Sequence, residues 1–268
     1  MPLFDAHCHL QDPKLMEQLP GVAERARSAG VGGFACCATE EADWPAVARL
    51  AAEQPEIVPA FGIHPWYMGA CAPGWQDRLR ERLAAVPSAG VGEIGLDHAI
   101  RERNDELQMR VFFEQLNVAV ELERPVSLHC RQAWGAMLDT LTRIGRSLPG
   151  FVVHSYSGAV DHVEPLAGLG ARFSFSGTIT RSRNHRGHAA ARAVPLDRLL
   201  IETDSPDLMP VRGDRVPPAD GRDPDPEPNE PANLVYVCRR VAELRGMPVD
   251  ELADITWRNA RRLFLKEA

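Results

Sequence analysis

The chain has 268 residues, 44% of them hydrophobic, with six cysteines and a formal net charge of −7. That length fits one large α/β domain or two small ones, and the acidic balance excludes a broad basic face of the kind that coats duplex DNA. Nothing resembles an 18-residue apolar span, so no membrane helix is expected.

Taken in order, short apolar runs alternate with amphipathic segments. Strands are predicted at Leu3–His7, Gly33–Cys36, Ile57–Phe61, Gly90–Ile94, Val126–His129, Phe151–His154, Arg172–Phe175 and Leu199–Glu202. Helical patterns separate them at Leu15–Ala29, Trp44–Gln54, Trp75–Ala85, Glu106–Leu122, Trp134–Ser147, Val160–Leu169 and His185–Ala193. Two more, Pro231–Leu244 and Val249–Leu265, follow the last strand. Eight strands separated by helices predict a (β/α)8 TIM barrel occupying 1–268 as a single domain. A doubly wound open sheet is the alternative, but no GxGxxG follows the first strand. From Pro206 to Pro231 the chain is rich in Pro and acid, as in "PPADGRDPDPEP", and reads as a long loop after the eighth strand. The N-terminus has no basic stretch followed by an apolar segment, and the cysteines show no CxxC or framework spacing. A reducing cytoplasm is therefore the expected setting.

The polar residues then fall into a pattern. The stretch "FDAHCHLQ" at 4–11 places His7 and His9 two apart at the end of the first strand, where alternate side chains share a side. His64 follows the third strand, Glu93 ends the fourth, His129 the fifth and His154 the sixth, and Asp204 follows the eighth. In a barrel these tips converge on the C-terminal face, where barrel enzymes keep their active sites. One pair of histidines is compatible with solvated surface; this whole set is not, because imidazole and carboxylate are the common metal-binding groups.

The motifs "FDAHCHL", "GIHPW", "GEIGLD", "FFEQLNVAVELERPVSLHCRQA", "HSYSG", "SFSGTIT", "ETDSP" and "NEPANL" run nearly end to end. In this order the chain resembles the TatD family of metal-dependent deoxyribonucleases, a branch of the amidohydrolase-like barrels. The resemblance implies a two-metal hydrolase that removes nucleotides from nucleic acid ends. It carries metal ligation onto His7, His9, Glu93, His129, His154 and Asp204. It departs at His98, at Tyr156 in place of a Phe, and in the long acidic stretch at 207–228, all of which touch the substrate rim.

Two divalent ions suit the chemistry. A cation lowers the pKa of bound water from 15.7 toward about 7, and a pair about 3.5–4 Å apart holds the nucleophile and stabilises the leaving oxygen. So close a pair needs an anionic bridge, and Glu93 is the choice, with His7, His9 and Asp204 on one ion and His129 and His154 on the other. Asp204 is also placed to accept the proton of the attacking water, although a pure ligand role is an equal reading. Histidine-rich sites suit Zn²⁺ or Mn²⁺ better than Mg²⁺, which the family's activity suggests; the identity is left open.

Around this centre His64 is assigned to substrate phosphate or outer support, Glu202 to orienting a histidine, Asp5 to hydrogen bonding within the barrel, and Asp97 to loop structure or outer support. Trp66, Tyr67 and Tyr156 are candidates either to stack on a base or to pack in the core or at the rim. Arg131, Arg181 and Arg183 are candidate phosphate contacts, against the commoner fate of a solvated helix face. The leading function is a 3′ exonuclease on single-stranded DNA or RNA. A small-molecule hydrolase is the alternative, disfavoured because Glu93 stands where many amidohydrolase barrels carry a carbamylated lysine. A non-catalytic partner in a nucleic-acid-processing complex is argued against by the intact ligand set.

Overall fold

A computed structural model describes residues 2–212 and 227–267. Of the acidic stretch, 213–226 lie outside the described residues. In chain order the elements are β1 (Leu3–Cys8), α1 (Pro13–Met16), α2 (Leu19–Ser28), β2 (Val31–Cys37), α3 (Trp44–Glu53), β3 (Ile57–Phe61), α4 (Trp75–Ala85), β4 (Gly90–Asp97) and α5 (Asp105–Glu121). There follow β5 (Val126–Arg131), α6 (Trp134–Ile144), β6 (Phe151–Val153), α7 (Val163–Gly168), β7 (Ala171–Phe175), α8 (His185–Ala193), β8 (Leu199–Ile201), α9 (Leu234–Arg245) and α10 (Val249–Phe264).

The eight strands are parallel and ordered β1 to β8. The seam between β8 and β1 is tied at their C-terminal ends. There Asp204 N–H donates to His7 O at 3.0 Å and His9 N–H to Ser205 O at 2.8 Å. This is the predicted (β/α)8 barrel, and each apolar run is a strand because barrel strands are buried on both faces. Phe4, Ala35, Val58, Val152 and Leu200 come from five different strands yet form one cluster with Ala260, Leu263 and Phe264 of α10. Only the barrel interior brings those strands together, so α10 closes its floor, and Phe4 stacks on Phe264 at 5.6 Å. Among the described residues no helix is long and apolar enough to cross a membrane.

Four local differences from the predicted elements have simple causes. The helix predicted at Leu15–Ala29 is two, because Pro20 opens α2 and cannot continue an earlier turn. The helix predicted at Val160–Leu169 begins with a separate 3₁₀ turn, Val160–His162. β1 shifts register against β2 between Asp5 and Cys8, so its side chains do not alternate strictly. β4 runs on to Asp97, which puts Glu93 at mid-strand, deeper than a strand tip.

Two devices set the mouth. Gly95 has φ 151°, and a Cβ there would lie 1.9 Å from the His129 carbonyl oxygen, so only glycine lets β4 and β5 approach. Asn229 secures the segment after β8. Its N–H donates to Pro206 O at 2.9 Å, and its side-chain amide donates to Thr203 O at 3.0 Å and Asp207 O at 2.8 Å.

Candidate metal centre

Six strands and the turns beyond them deliver five histidines and two carboxylates to one place. Glu93 is 3% exposed and stands between two groups of donors. Its Oε2 lies 3.3 Å from His7 Nε2 and 3.4 Å from His9 Nε2. Those nitrogens are 3.2 Å apart, and Asp204 Oδ1 is 3.8 and 3.6 Å from them. Its Oε1 lies 2.9 Å from His129 Nδ1 and 2.7 Å from His154 Nε2, which are 3.3 Å from each other.

The far nitrogen of each histidine decides what the near one offers. His9 Nδ1 sits 2.7 Å from Cys37 O, a carbonyl that only accepts, so the ring proton is on Nδ1 and Nε2 presents a lone pair. His129 Nε2 faces Asp97 Oδ2 at 3.3 Å, leaving Nδ1 to face Glu93. His7 Nδ1 meets Ser127 Oγ at 2.9 Å. His154 Nδ1 faces Glu202 Oε1 at 3.5 Å, ion-pair range and longer than a good hydrogen bond. In the neutral rings the lone pairs of His9 and His129 therefore turn inward toward Glu93, beside His7 and His154, and such crowding is stable only with a cation or protons between them. A tetrahedron of N and O ligands about 2.1 Å from an ion has edges of about 3.4 Å. The edges of the His7–His9–Asp204–Glu93 group match that size, so the residues present fit a divalent cation.

His64 behaves differently. Its Nδ1 accepts from the Trp66 backbone N–H at 3.1 Å, so in the neutral ring Nε2 carries the proton. That N–H points at Glu93 Oε1, 3.3 Å away. His64 is thus a donor beside the centre rather than a ligand, although it stands close to Glu93 and His129. Burial, the largest cause, pulls its pKa down to about 4 and keeps it neutral.

The carboxylates stay charged. Burial opposes charge on Glu93, but His154, His64, His7 and the hydrogen bond from His129 hold it well below the usual range. Burial likewise opposes charge on His9, but Asp204 and Glu93 override it and pull the metal-free imidazole up to about 10. Protons therefore occupy the site when cations do not, and a cation must displace them.

The supporting shell combines Glu202 and Asp5, expected from the sequence, with Gln108 and Gln115, which sequence reasoning did not single out. Gln108 on α5 accepts from Asp97 N–H and donates to Asp97 O, both at 3.0 Å. Gln115, two turns on, does the same for Ile63, at 2.7 and 3.1 Å, just before His64. Their spacing of seven on one apolar helix face was the available signal. Glu202 accepts from Ser155 N–H at 2.6 Å and from Ser174. Asp5 accepts from Thr203, next to Asp204.

The expected substrate contacts divide. Arg131 is 57% exposed at the mouth, 4.0 Å from Asp97. Arg181 and Arg183 follow the turn Gly177–Thr180 after β7 on the same barrel face, Arg183 being exposed. Trp66 and Tyr67 are 56% and 38% exposed. Tyr156 requires correction: it is 3% exposed, its ring packs edge-on against Trp134 and Phe173, and its hydroxyl donates to Ala159 O at 2.8 Å. The extra hydroxyl relative to Phe is satisfied inside the wall and offers no face to a substrate.

Comparison with known proteins agrees with this architecture. Residues 4–265 match the family model of TatD related DNase. The chain is 33% identical to the 3′-5′ ssDNA/RNA exonuclease TatD of Pectobacterium parmentieri, over 98% of this chain and 99% of that protein. It is 32% identical to YjjV of Escherichia coli, an uncharacterized metal-dependent hydrolase, over 97% of each. The crystal structure of YjjV superposes with a TM-score of 0.88 at 31% identity, covering 98% of both chains. A TatD-family hydrolase from Entamoeba histolytica shares the fold, with a TM-score of 0.85 at 18% identity. With its full-length match, its barrel and its histidine-lined mouth, the chain belongs to the TatD related DNase family of metal-dependent hydrolases.

Proposed function

We propose that the protein is a 3′–5′ exonuclease of single-stranded DNA or RNA working with two divalent cations. The observation that carries this reading is Glu93, whose two oxygens each face a separate pair of histidines. One cation would be held by His7, His9, Asp204 and Glu93, the other by Glu93, His129 and His154; a nitrogen-rich set of this kind suits Zn²⁺ or Mn²⁺. When bound, such cations supply an activated water and neutralise charge developing on the phosphate.

The chain's own residues do the rest. Asp97 and Cys37 O hold the outer nitrogens of His129 and His9, so the proton a cation displaces leaves from the inward nitrogen and the rings need not turn. His64 offers a neutral Nε2–H at the edge of the centre, placed to donate to a phosphate oxygen. Asp204 is 13% exposed and faces the mouth, where its carboxylate takes the proton from the attacking water. The exposed Arg131 and Arg183 are the cations we assign to phosphates further along the strand, a role their exposure supports.

The test is hydrolysis of 5′-labelled single-stranded DNA and RNA by protein loaded with Zn²⁺ or Mn²⁺. A ladder shortening from the 3′ end is expected. No shortening, with turnover of small amides, lactones or phosphoesters, would replace this reading with that of a small-molecule hydrolase on the same barrel.

A further inference from the structure

We propose that Trp66 is the stacking platform for the base of the nucleotide being removed, an assignment that rests on the exonuclease reading. At 56% exposed it is the most exposed large apolar side chain among the described residues. It is also firmly held. Its indole N–H donates to Asp97 Oδ2 at 2.8 Å, its backbone N–H donates to His64 Nδ1 at 3.1 Å, and its ring meets the His64 ring at 88° and 5.1 Å. Asp97 in turn faces His129 at 3.3 Å. An indole pinned by the residues of the centre, with a face left in water, is not explained by packing. Its rigidity means that little freedom is lost when a second ring lies on it.

The surroundings select a base over a phosphate on this side. Next to Trp66, Tyr67 borders a 420 Å³ cavity whose rim includes Glu40, Glu41 and Arg78. Arg78 holds Glu41 in a two-bond ion pair, which leaves the Glu40 carboxylate to repel a phosphate and accept a hydrogen bond from the amino group of a base. Beyond Asp97 stands the exposed Arg131, which suits the phosphate instead. Stacking tolerates any base, because each presents a π face. The terminal nucleotide is therefore gripped by its base whatever its sequence, and an end lacking a base is a poor substrate.

The experiment pairs the protein change with a substrate change. Trp66→Ala should raise KM for single strands by about 5- to 150-fold, the range of base–aromatic stacking. The same change should have little effect on strands ending in an abasic tetrahydrofuran residue. Trp66→Phe keeps a ring but loses the N–H to Asp97, and should restore most of the affinity. Direct binding is read from indole fluorescence: deoxyadenosine 5′-monophosphate should quench wild-type protein saturably, and Trp66→Phe should lose that quenching. Equal losses on base-bearing and abasic ends, or quenching that survives in Trp66→Phe, would overturn the proposal. A wild type inert on all oligonucleotides would instead remove the exonuclease reading. The monophosphate titration, which needs no turnover, then decides the stacking role alone, and absence of saturable quenching overturns it.

Discussion

Glu93→Gln is the sharpest probe of the centre. The change keeps the side-chain volume, so the packed barrel interior is undisturbed, but it replaces a shared carboxylate with a neutral amide. One Glu93 oxygen serves His7 and His9 at 3.3 and 3.4 Å, the other His129 and His154 at 2.9 and 2.7 Å. The new NH₂ can only donate, so it occupies the lone pairs on one side and leaves a neutral oxygen on the other. The His7–His9–Asp204 group still has three donors, one of them an anion; the opposite group falls to two imidazoles and at most a neutral amide oxygen. Elemental analysis of metal-loaded protein should therefore drop from two ions per chain to one. The rate should fall more than about a thousandfold, roughly 4 kcal/mol of transition-state stabilisation. An unchanged far-ultraviolet circular dichroism spectrum of the chelated protein controls for folding. A variant that kept two ions and cleaved normally would refute the shared-carboxylate arrangement.

Further outcomes follow from other parts of the structure. Arg131→Ala with Arg183→Ala should raise KM, leave kcat nearly unchanged and flatten the plot of log affinity against log salt by about 1.4, at ~0.7 for each single-strand phosphate that no longer meets an arginine. Tyr156→Phe should cost about 1 kcal/mol in urea denaturation by losing the bond to Ala159 O, with KM unaltered. Gly95→Ala should lower stability by more than about 3 kcal/mol, because its methyl group meets a backbone oxygen that cannot rotate away. In chelated protein, His9 is raised from 6.5 to about 10. That contribution is full below pH 6.5 and is lost as pH rises through about 10, so Tm should fall across this window far more without metal than with it.

The barrel was legible because parallel strands buried on both faces read as apolar runs, and because the intervening segments repeat helical spacing without a break. The approximate places of His7, His9, Glu93, His129, His154 and Asp204 followed from strand ends. Their hydrogen-bonding states did not follow. Which nitrogen of His129 faces inward depends on Asp97, thirty-two positions away, and His64 is made a donor by the Trp66 backbone N–H, a contact that spacing alone does not reveal. Tyr156 looked like a rim aromatic because it follows a strand tip; the ring turns inward because Phe173 and Trp134 bracket it. The split of the first helix was signalled by Pro20, whereas the register shift in β1 carries no glycine or proline to announce it.

The fastening at Asn229 has a consequence for how this barrel tolerates change. Chain leaving at Pro206 and returning at Asn229 is joined there by one backbone bond, and the Asn229 amide locks both ends to Thr203 and Asp207. These bonds fix where the chain leaves and rejoins the barrel, three residues from Asp207 back to Asp204, whose carbonyl accepts from the Asp207 N–H at 2.9 Å. Residues 207–212 are themselves held, Met209 being buried and Val211 N–H donating to Thr180 Oγ1 at 2.7 Å; beyond them loop-closure entropy grows only slowly with length, so residues added between 212 and 227 cost the barrel little. A peptide tag or small domain spliced into this position would be carried beside the metal-binding face of an unaltered scaffold. It is thus the place where new substrate reach can be grafted without touching the machinery beneath.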